Sequence, residues 1–293
     1  MRLRPADSVP NSPRPALGSA AVHLLEYGAV TDRGTVRSVN EDSILASPPV
    51  FVVADGVGGN ADGELASAIV VEEFGKLARR PVIDADAVSA TIQAAHLRVR
   101  GLNVADEPHG PSSTAVGAVG LLAGEEPYWL VFNIGDSRIY RLPAHPSEGA
   151  DERELSQISV DHSHVQELVD AGVITADQAA GHPDRNLVTR AIGAEADCEP
   201  DFWMIPMVPG DRLLICSDGL LAAPYADLLG RLLQPSEAAA AADDLLQLAL
   251  AAGATDNVSI IVVDVAAVAA GEPESDEVTS VQPHPHAPVP DSV

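Results

Sequence analysis

The sequence predicts an α/β (α+β) sandwich in which antiparallel sheets carry helices on their outer faces, with a small flap insert. Three observations predict it. Two helical stretches follow the first strands back to back, several strands then arrive in succession, and the connections between them are short. Consecutive strands with tight turns favour antiparallel pairing over a Rossmann-type alternation. With 293 residues, 46% of them hydrophobic, the chain can bury one large core or two small ones. Aromatic residues make up only 3%, so Ala, Val, Leu and Ile must fill that core.

Residues 1–22 carry four prolines and few large apolar groups and read as a loose arm. The domain then runs over 23–266, with strand patterns at 24–32, 50–54, 113–122, 128–134, 138–142, 200–207, 211–217 and 257–265. A first helix begins after Asn60 or Asp62 and runs to Arg80, with Leu65, Ile69, Phe74 and Leu77 on one face. A second covers 84–104, and a third is expected from a Ser236 cap to Gly253. Residues 153–193 differ: short helices at 165–171 and 175–180, then His182-Pro183, read as the flap. The tail, 267–293, holds five prolines, His284, His286 and no basic residue, a composition expected to stay disordered.

Composition excludes several classes. Against 17 Lys and Arg stand 43 Asp and Glu, a net charge of −26. That field repels a phosphate backbone, so nucleic acid is not expected as a partner. Cys198 and Cys216 form no C-x-x-C pair, which leaves no disulfide framework or zinc–cysteine site and suits a reducing cytoplasm. The apolar run 258–270 is broken by Asp264 and falls short of the ~20 residues a membrane span needs.

Chemistry concentrates where acidic residues end apolar strands. The signatures are Arg37-Ser-Val-Asn-Glu41-Asp42, Asp55-Gly56-Val57-Gly58-Gly59, Gly135-Asp136-Ser137-Arg138, Ser217-Asp218-Gly219 and Asp256-Asn257. One Asp-Gly after a strand is most simply a turn. If the strand ends converge, four or five carboxylates crowd one location, and two of them ~4 Å apart repel by roughly 4 kcal/mol at an effective dielectric of 20. Divalent ions reverse that sign. Oxygen-only donors select hard ions such as magnesium or manganese, and Arg37 offers a planar fork for a phosphate dianion.

These signatures, in this order, resemble the metal-dependent protein serine/threonine phosphatases (PPM, type 2C), bacterial branch, over Leu24 to Ala266. The resemblance implies two antiparallel sheets flanked by helices and two or three Mn2+ or Mg2+ ions. It implies that Asp55 bridges two ions, that Asp218 and Asp256 complete one site, and that Glu41 and the Gly56 carbonyl hold the second. Asp136 with Asp218 matches a third position, Asp42 and Asn257 orient ligands or waters, and Arg37 binds phosphate. The implied reaction is hydrolysis of phosphoserine or phosphothreonine proteins, targets of a serine/threonine kinase, by direct attack of a hydroxide held between two cations. A monomer in the cytoplasm is expected.

Three departures stand out. Val57 occupies the place of a histidine that eukaryotic relatives use as general acid. Gly110-Pro111-Ser112-Ser113-Thr114 differs from the family's glycine-bearing turn, and no membrane anchor is expected after the domain. In the flap, His162, His164, His182, Arg185 and Arg190 are candidates for touching substrate, with packing or surface roles the plainer alternative. Trp129 and Trp203 read as core. Two other functions remain open to the sequence: an inactive binding or scaffold module of the same fold, and a phosphodiesterase or nuclease, which the acidic surface disfavours.

Overall fold

The computed structural model describes residues 2–3, 25–57, 61–102, 110–124, 126–146, 152–194 and 198–266. Its strands are β1 (Arg2–Leu3), β2 (Leu25–Asp32), β3 (Asp42–Ser47), β4 (Val50–Val57), β5 (Ser112–Ser113), β6 (Ala115–Ala123), β7 (Glu126–Ile134), β8 (Arg138–Leu142), β9 (Ser156–Gln157), β10 (Asp201–Pro206), β11 (Arg212–Cys216) and β12 (Val258–Val265). The helices are α1 (Ala61–Ala78), α2 (Ala85–Arg100), α3 (His164–Asp170), α4 (Ala176–Ala180), α5 (Tyr225–Leu232) and α6 (Ala238–Ala251), with a 3-10 turn at Asp218–Ala222.

One sheet runs β1-β10-β7-β6-β4-β3, with β5 added beside β4; the other runs β2-β12-β11-β8-β9. Every strand pair is antiparallel. The alternation of side chains builds four layers. Val50, Val52 and Ala54 face outward onto Phe74 of α1 and Ile92 of α2. Phe51 and Val53 face inward onto Ile215 and Ile261 of the second sheet. On that sheet's outer face, Leu214, Cys216 and Ile260 pack against Ala241 and Leu245 of α6. Central strands are thus covered on both faces, which is why their sequences are continuous apolar runs. Trp129, 1% exposed, stacks edge-on against Phe51 in the inner layer, and Trp203 is buried in the same layer.

Some expectations need correction. Leu65 is 47% exposed, and the buried face of α1 is Ala66, Ile69, Val70, Phe74 and Leu77. Leu65 sits one residue, about 100° of helix rotation, off that stripe. Ser236 does not cap α6: the helix starts at Ala238, and the Ser236 carbonyl accepts a hydrogen bond from Arg212 Nη2 instead. Strand β3 and helix α5 were not anticipated. The arm begins with a strand, since Arg2–Leu3 pairs with β10 and covers an edge that would otherwise be open. The rest of the arm up to Leu24, Gly58–Asn60, and the tail with His284 and His286 lie outside the described residues. The unusual turn before Thr114 keeps the edge in place, with Ser112–Ser113 paired to Val57 and Gly56.

Candidate metal centre at the end of the sandwich

The inward parity of each central strand, followed to its end, leads from the core into a polar cluster. On β4 the inward series Phe51, Val53 continues to Asp55, and on β3 the series Ala46, Ile44 continues to Asp42. These two carboxylates stand opposite each other in register. On the second sheet the inward series from Leu213 and Ile215 continues to Ser217, and that from Val263 and Ile261 continues to Ser259. Ser217 Oγ donates to Asp42 Oδ2 at 2.8 Å and accepts from the Ser259 N–H at 2.9 Å, so a buried serine strap joins the sheets. Asp218 follows Ser217 directly, and the loop before β12 delivers Asp256 and Asn257.

Asn257 organises the rim. Its Nδ2 donates to the carbonyls of Arg33 and Val39, each at 3.0 Å, and its Oδ1 accepts from the Glu41 N–H at 2.8 Å. The Gly56 N–H donates to the Glu41 carbonyl, which also accepts from Ser67 Oγ of α1. Asp55 is fixed from its backbone: its N–H donates to Thr114 Oγ1, and its carbonyl accepts from the Thr114 N–H and Ser113 Oγ. Arg37, its side chain 50% exposed, donates from Nη2 to Asp256 Oδ2 at 2.6 Å.

Proximity of like charges shows in the acidities. Burial, then Asp42, Asp218, Asp136 and Asp256, pushes the Asp55 carboxyl well above the carboxylate range. Burial and Asp218 raise Asp136 to about 7; burial and Asp256 raise Asp218 to about 6; burial raises Asp42 to about 6. Glu41 is raised too, chiefly by burial. Such a cluster is costly unless a cation or a proton compensates it.

The residues fit divalent cations. Glu41 Oε1, Asp42 Oδ1 and Asp218 Oδ1 are buried oxygens that accept no hydrogen bond among the described residues. A Cβ placed on Gly63, in the first turn of α1, would stand 2.7 Å from Glu41 Oε1 and 3.1 Å from the Gly56 carbonyl oxygen. A side-chain and a main-chain oxygen therefore converge on one small cradle. All of these donors are oxygens, as hard ions require. Among the described residues no three His, Cys, Asp or Glu side chains already close into a metal cage.

The structure therefore brings Arg37, Glu41, Asp42, Asp55, Gly56, Asp136, Asp218, Asp256 and Asn257 to one end of the sandwich. The flap candidates fare differently. His162 is 4% exposed and faces inward to Gly135 and Asp201, away from any substrate approaching from solvent. His182 accepts from the Asp184 N–H with Nδ1, and Arg185 is exposed. Arg190 lies beside Asp201 at 3.8 Å, and His164 opens α3. Val57 is exposed and offers no proton donor. Residues not assigned from sequence include Ser259, Ser67, Gly63 and Asp161, which accepts from Arg138 Nε and Nη2. For Ser217 and Ser259 a signal existed: a serine stands where strand alternation calls for an apolar side chain.

A carboxylate cluster at the end of a doubly covered antiparallel sandwich offers the all-oxygen donor set that hard divalent cations take. The sequence profile of protein phosphatase 2C matches residues 35–251, and the chain belongs to that family. It is 38% identical over 248 residues to the serine/threonine protein phosphatase PstP of Mycobacterium tuberculosis, covering 83% of this chain and 45% of that protein. The chain thus spans about half the length of that relative. The serine/threonine phosphatase stp of Listeria monocytogenes is 30% identical over 247 residues, 80% of this chain and 93% of the relative. A solved structure of the PstP catalytic domain in complex with two manganese ions superposes with a TM-score of 0.70 at 36% identity, covering 83% of this chain and 99% of that one. No helix among the described residues is long and apolar enough to cross a membrane.

Proposed function

We propose that this chain is a manganese- or magnesium-dependent phosphatase that hydrolyses phosphoserine and phosphothreonine in proteins. The observation that carries the reading is the convergence of Glu41, Asp55, Gly56, Asp136, Asp218 and Asp256 beside an exposed arginine, with buried carboxylate oxygens left unpaired. The PstP domain with two manganese ions supports the same reading.

Asp55, Asp218 and Asp256 would hold one cation, Asp55 with Glu41 and the Gly56 carbonyl a second, and Asp136 with Asp218 a third. When bound, the cations supply Lewis acidity and a water acidic enough to act as nucleophile near neutral pH. Arg37 binds the substrate phosphate. One of its five N–H donors serves Asp256, and the exposed remainder of the fork faces solvent to stabilise charge on phosphoryl oxygens. Asn257 and Asp42 orient the ligand-bearing backbone: Asn257 fixes Glu41 from the second sheet, and Asp42 anchors the first sheet to Ser217. The inner layer of the sandwich beneath them excludes bulk water. No cysteine takes part, since Cys198 and Cys216 are both buried, and burial pushes each thiol up to about 12. Two free buried thiols also suit a cytoplasmic setting. The substrates are read as targets of a serine/threonine kinase, and the active unit as a monomer.

The test is hydrolysis of a phosphothreonine peptide and of p-nitrophenyl phosphate with manganese, with magnesium and with excess chelator, beside Asp55→Asn and Asp218→Asn. Metal-dependent turnover lost in both variants is expected. Folded protein without turnover in either metal would overturn the reading and leave the fold as a binding module.

A further inference from the structure

Beneath the flap, apart from the carboxylate cluster, His162 closes on a single residue of the loop between β7 and β8. Its peptide N–H donates to the Gly135 carbonyl at 2.8 Å, and its ring Nδ1 accepts from the Gly135 N–H at 3.2 Å. Asn133 Nδ2 adds a second donor to the same carbonyl at 2.9 Å. Gly135 sits at φ +111°, and a Cβ there would lie 2.6 Å from Thr114 Cβ, so this residue has left the strand pairing and fits only as glycine. Its buried N–H has His162 as partner, and Asp136 is the next residue in the chain.

The tautomer follows from the same contacts. An accepting Nδ1 carries no proton, so the ring hydrogen is on Nε2, which donates to Asp201 Oδ2 at 3.1 Å. Arg190 Nη1 approaches that nitrogen at 3.4 Å, but both atoms then bear hydrogen, and the partner of Arg190 is Asp201 at 3.8 Å. Asp201 faces Asn133 in the β10–β7 register, so the ring is oriented from the rigid first sheet.

We infer that His162 is a positioning residue: by clamping both polar groups of Gly135 it sets the place of the Asp136 carboxylate, and with it the affinity for the cation that Asp136 shares with Asp218. The inference rests on the reading of Asp136 as a ligand. Two amides separate the two ring nitrogens. Asparagine can put Oδ1 where Nδ1 stands and accept from Gly135; glutamine reaches Asp201 but leaves the Gly135 N–H without an acceptor.

The experiment titrates the metal-free protein with Mn2+ and follows the free ion by electron paramagnetic resonance, for wild type, His162→Asn, His162→Gln and Asp136→Asn. Asp136→Asn is expected to lose the weakest class of Mn2+ site; an unchanged isotherm there would overturn the ligand reading itself. Where Asp136→Asn abolishes that class, His162→Gln is expected to weaken the same class by about 10-fold or more, and His162→Asn by less than about threefold, the tighter ions unaffected in both. Equal effects of the two amides, or a larger one from asparagine, would overturn the role of His162. A long-range 15N–1H spectrum of the wild type needs no variant to fold: the Nε2–H tautomer is expected, and the Nδ1–H tautomer would overturn the clamp.

Discussion

Gly63→Ala separates the fold from the site. The new methyl would stand 2.7 Å from Glu41 Oε1 and 3.1 Å from the carbonyl carbon and oxygen of Gly56. The closer of these atoms ends a flexible side chain, so Glu41 rotates away while the main chain gives by a few tenths of an ångström. Helix propensity moves the other way, favouring alanine by up to about 1 kcal/mol. The folded state should lose little stability, and the melting temperature in chelator should move by no more than ~4 °C for a shift of that size. The cation cradle loses a carboxylate oxygen. Perturbing the orientation of a ligand costs roughly 10–100-fold in metal affinity, or about 1.4–2.8 kcal/mol at 1.4 kcal/mol per decade. Calorimetric titration with Mn2+ reads this directly, and turnover at limiting Mn2+ should fall in parallel. A Gly63→Ala protein that binds Mn2+ as tightly as wild type would refute the cradle, and with it the pairing of Glu41 and Gly56 as donors to one ion.

Other outcomes follow from the same geometry. In chelator, the melting temperature should fall as pH rises from about 5.5 to 7.5, because the carboxyls of Asp42, Asp218 and Asp136, pushed up by burial to about 6, 6 and 7, hold protons in the fold that the unfolded chain has released. Saturating Mn2+ should flatten that slope; a rising apo curve would contradict it. Asn257→Ala removes three hydrogen bonds and strands the Glu41 N–H, so stability should drop by about 2–4 kcal/mol, measurable in urea. Arg37→Ala should raise KM for a phosphopeptide at least about 10-fold with Mn2+ affinity within threefold of wild type, since the guanidinium is exposed and its partner Asp256 remains. A Mn2+ affinity that collapses with Arg37 would reassign it to the metal centre.

The carboxylates of the candidate site were legible because they stand at strand ends, and strand ends announce themselves where an apolar run stops. Asp55, Asp136 and Asp218 could be found that way, and Asp256 at the entry to β12. The sandwich was legible from the order of strand and helix patterns. Strand β3 was not: its acidic start was read as a motif, and six residues give little alternation to detect. The inward turn of His162 was also hidden, since its partners Gly135 and Asp201 are 27 and 39 residues away and a histidine in a polar segment looks like surface. Gly63 carries no chemical signal at all. Its importance is the absence of a side chain, visible only once Glu41 and Gly56 are placed around it.

The rim of the site is stitched from the two extremes of the domain. Arg37 meets Asp256 across 219 residues, and Glu41 meets Asn257 across 216. At a synthesis rate of roughly 5–20 residues per second, some 10–45 seconds pass between the emergence of Arg37 and that of its partner. Throughout that interval the early loops exist without the acids that complete them. A ribosome-bound or prematurely ended chain lacking β12 therefore carries Asp55 and Glu41 without Asp256 and Asn257, so the candidate centre is complete only once β12 has been delivered.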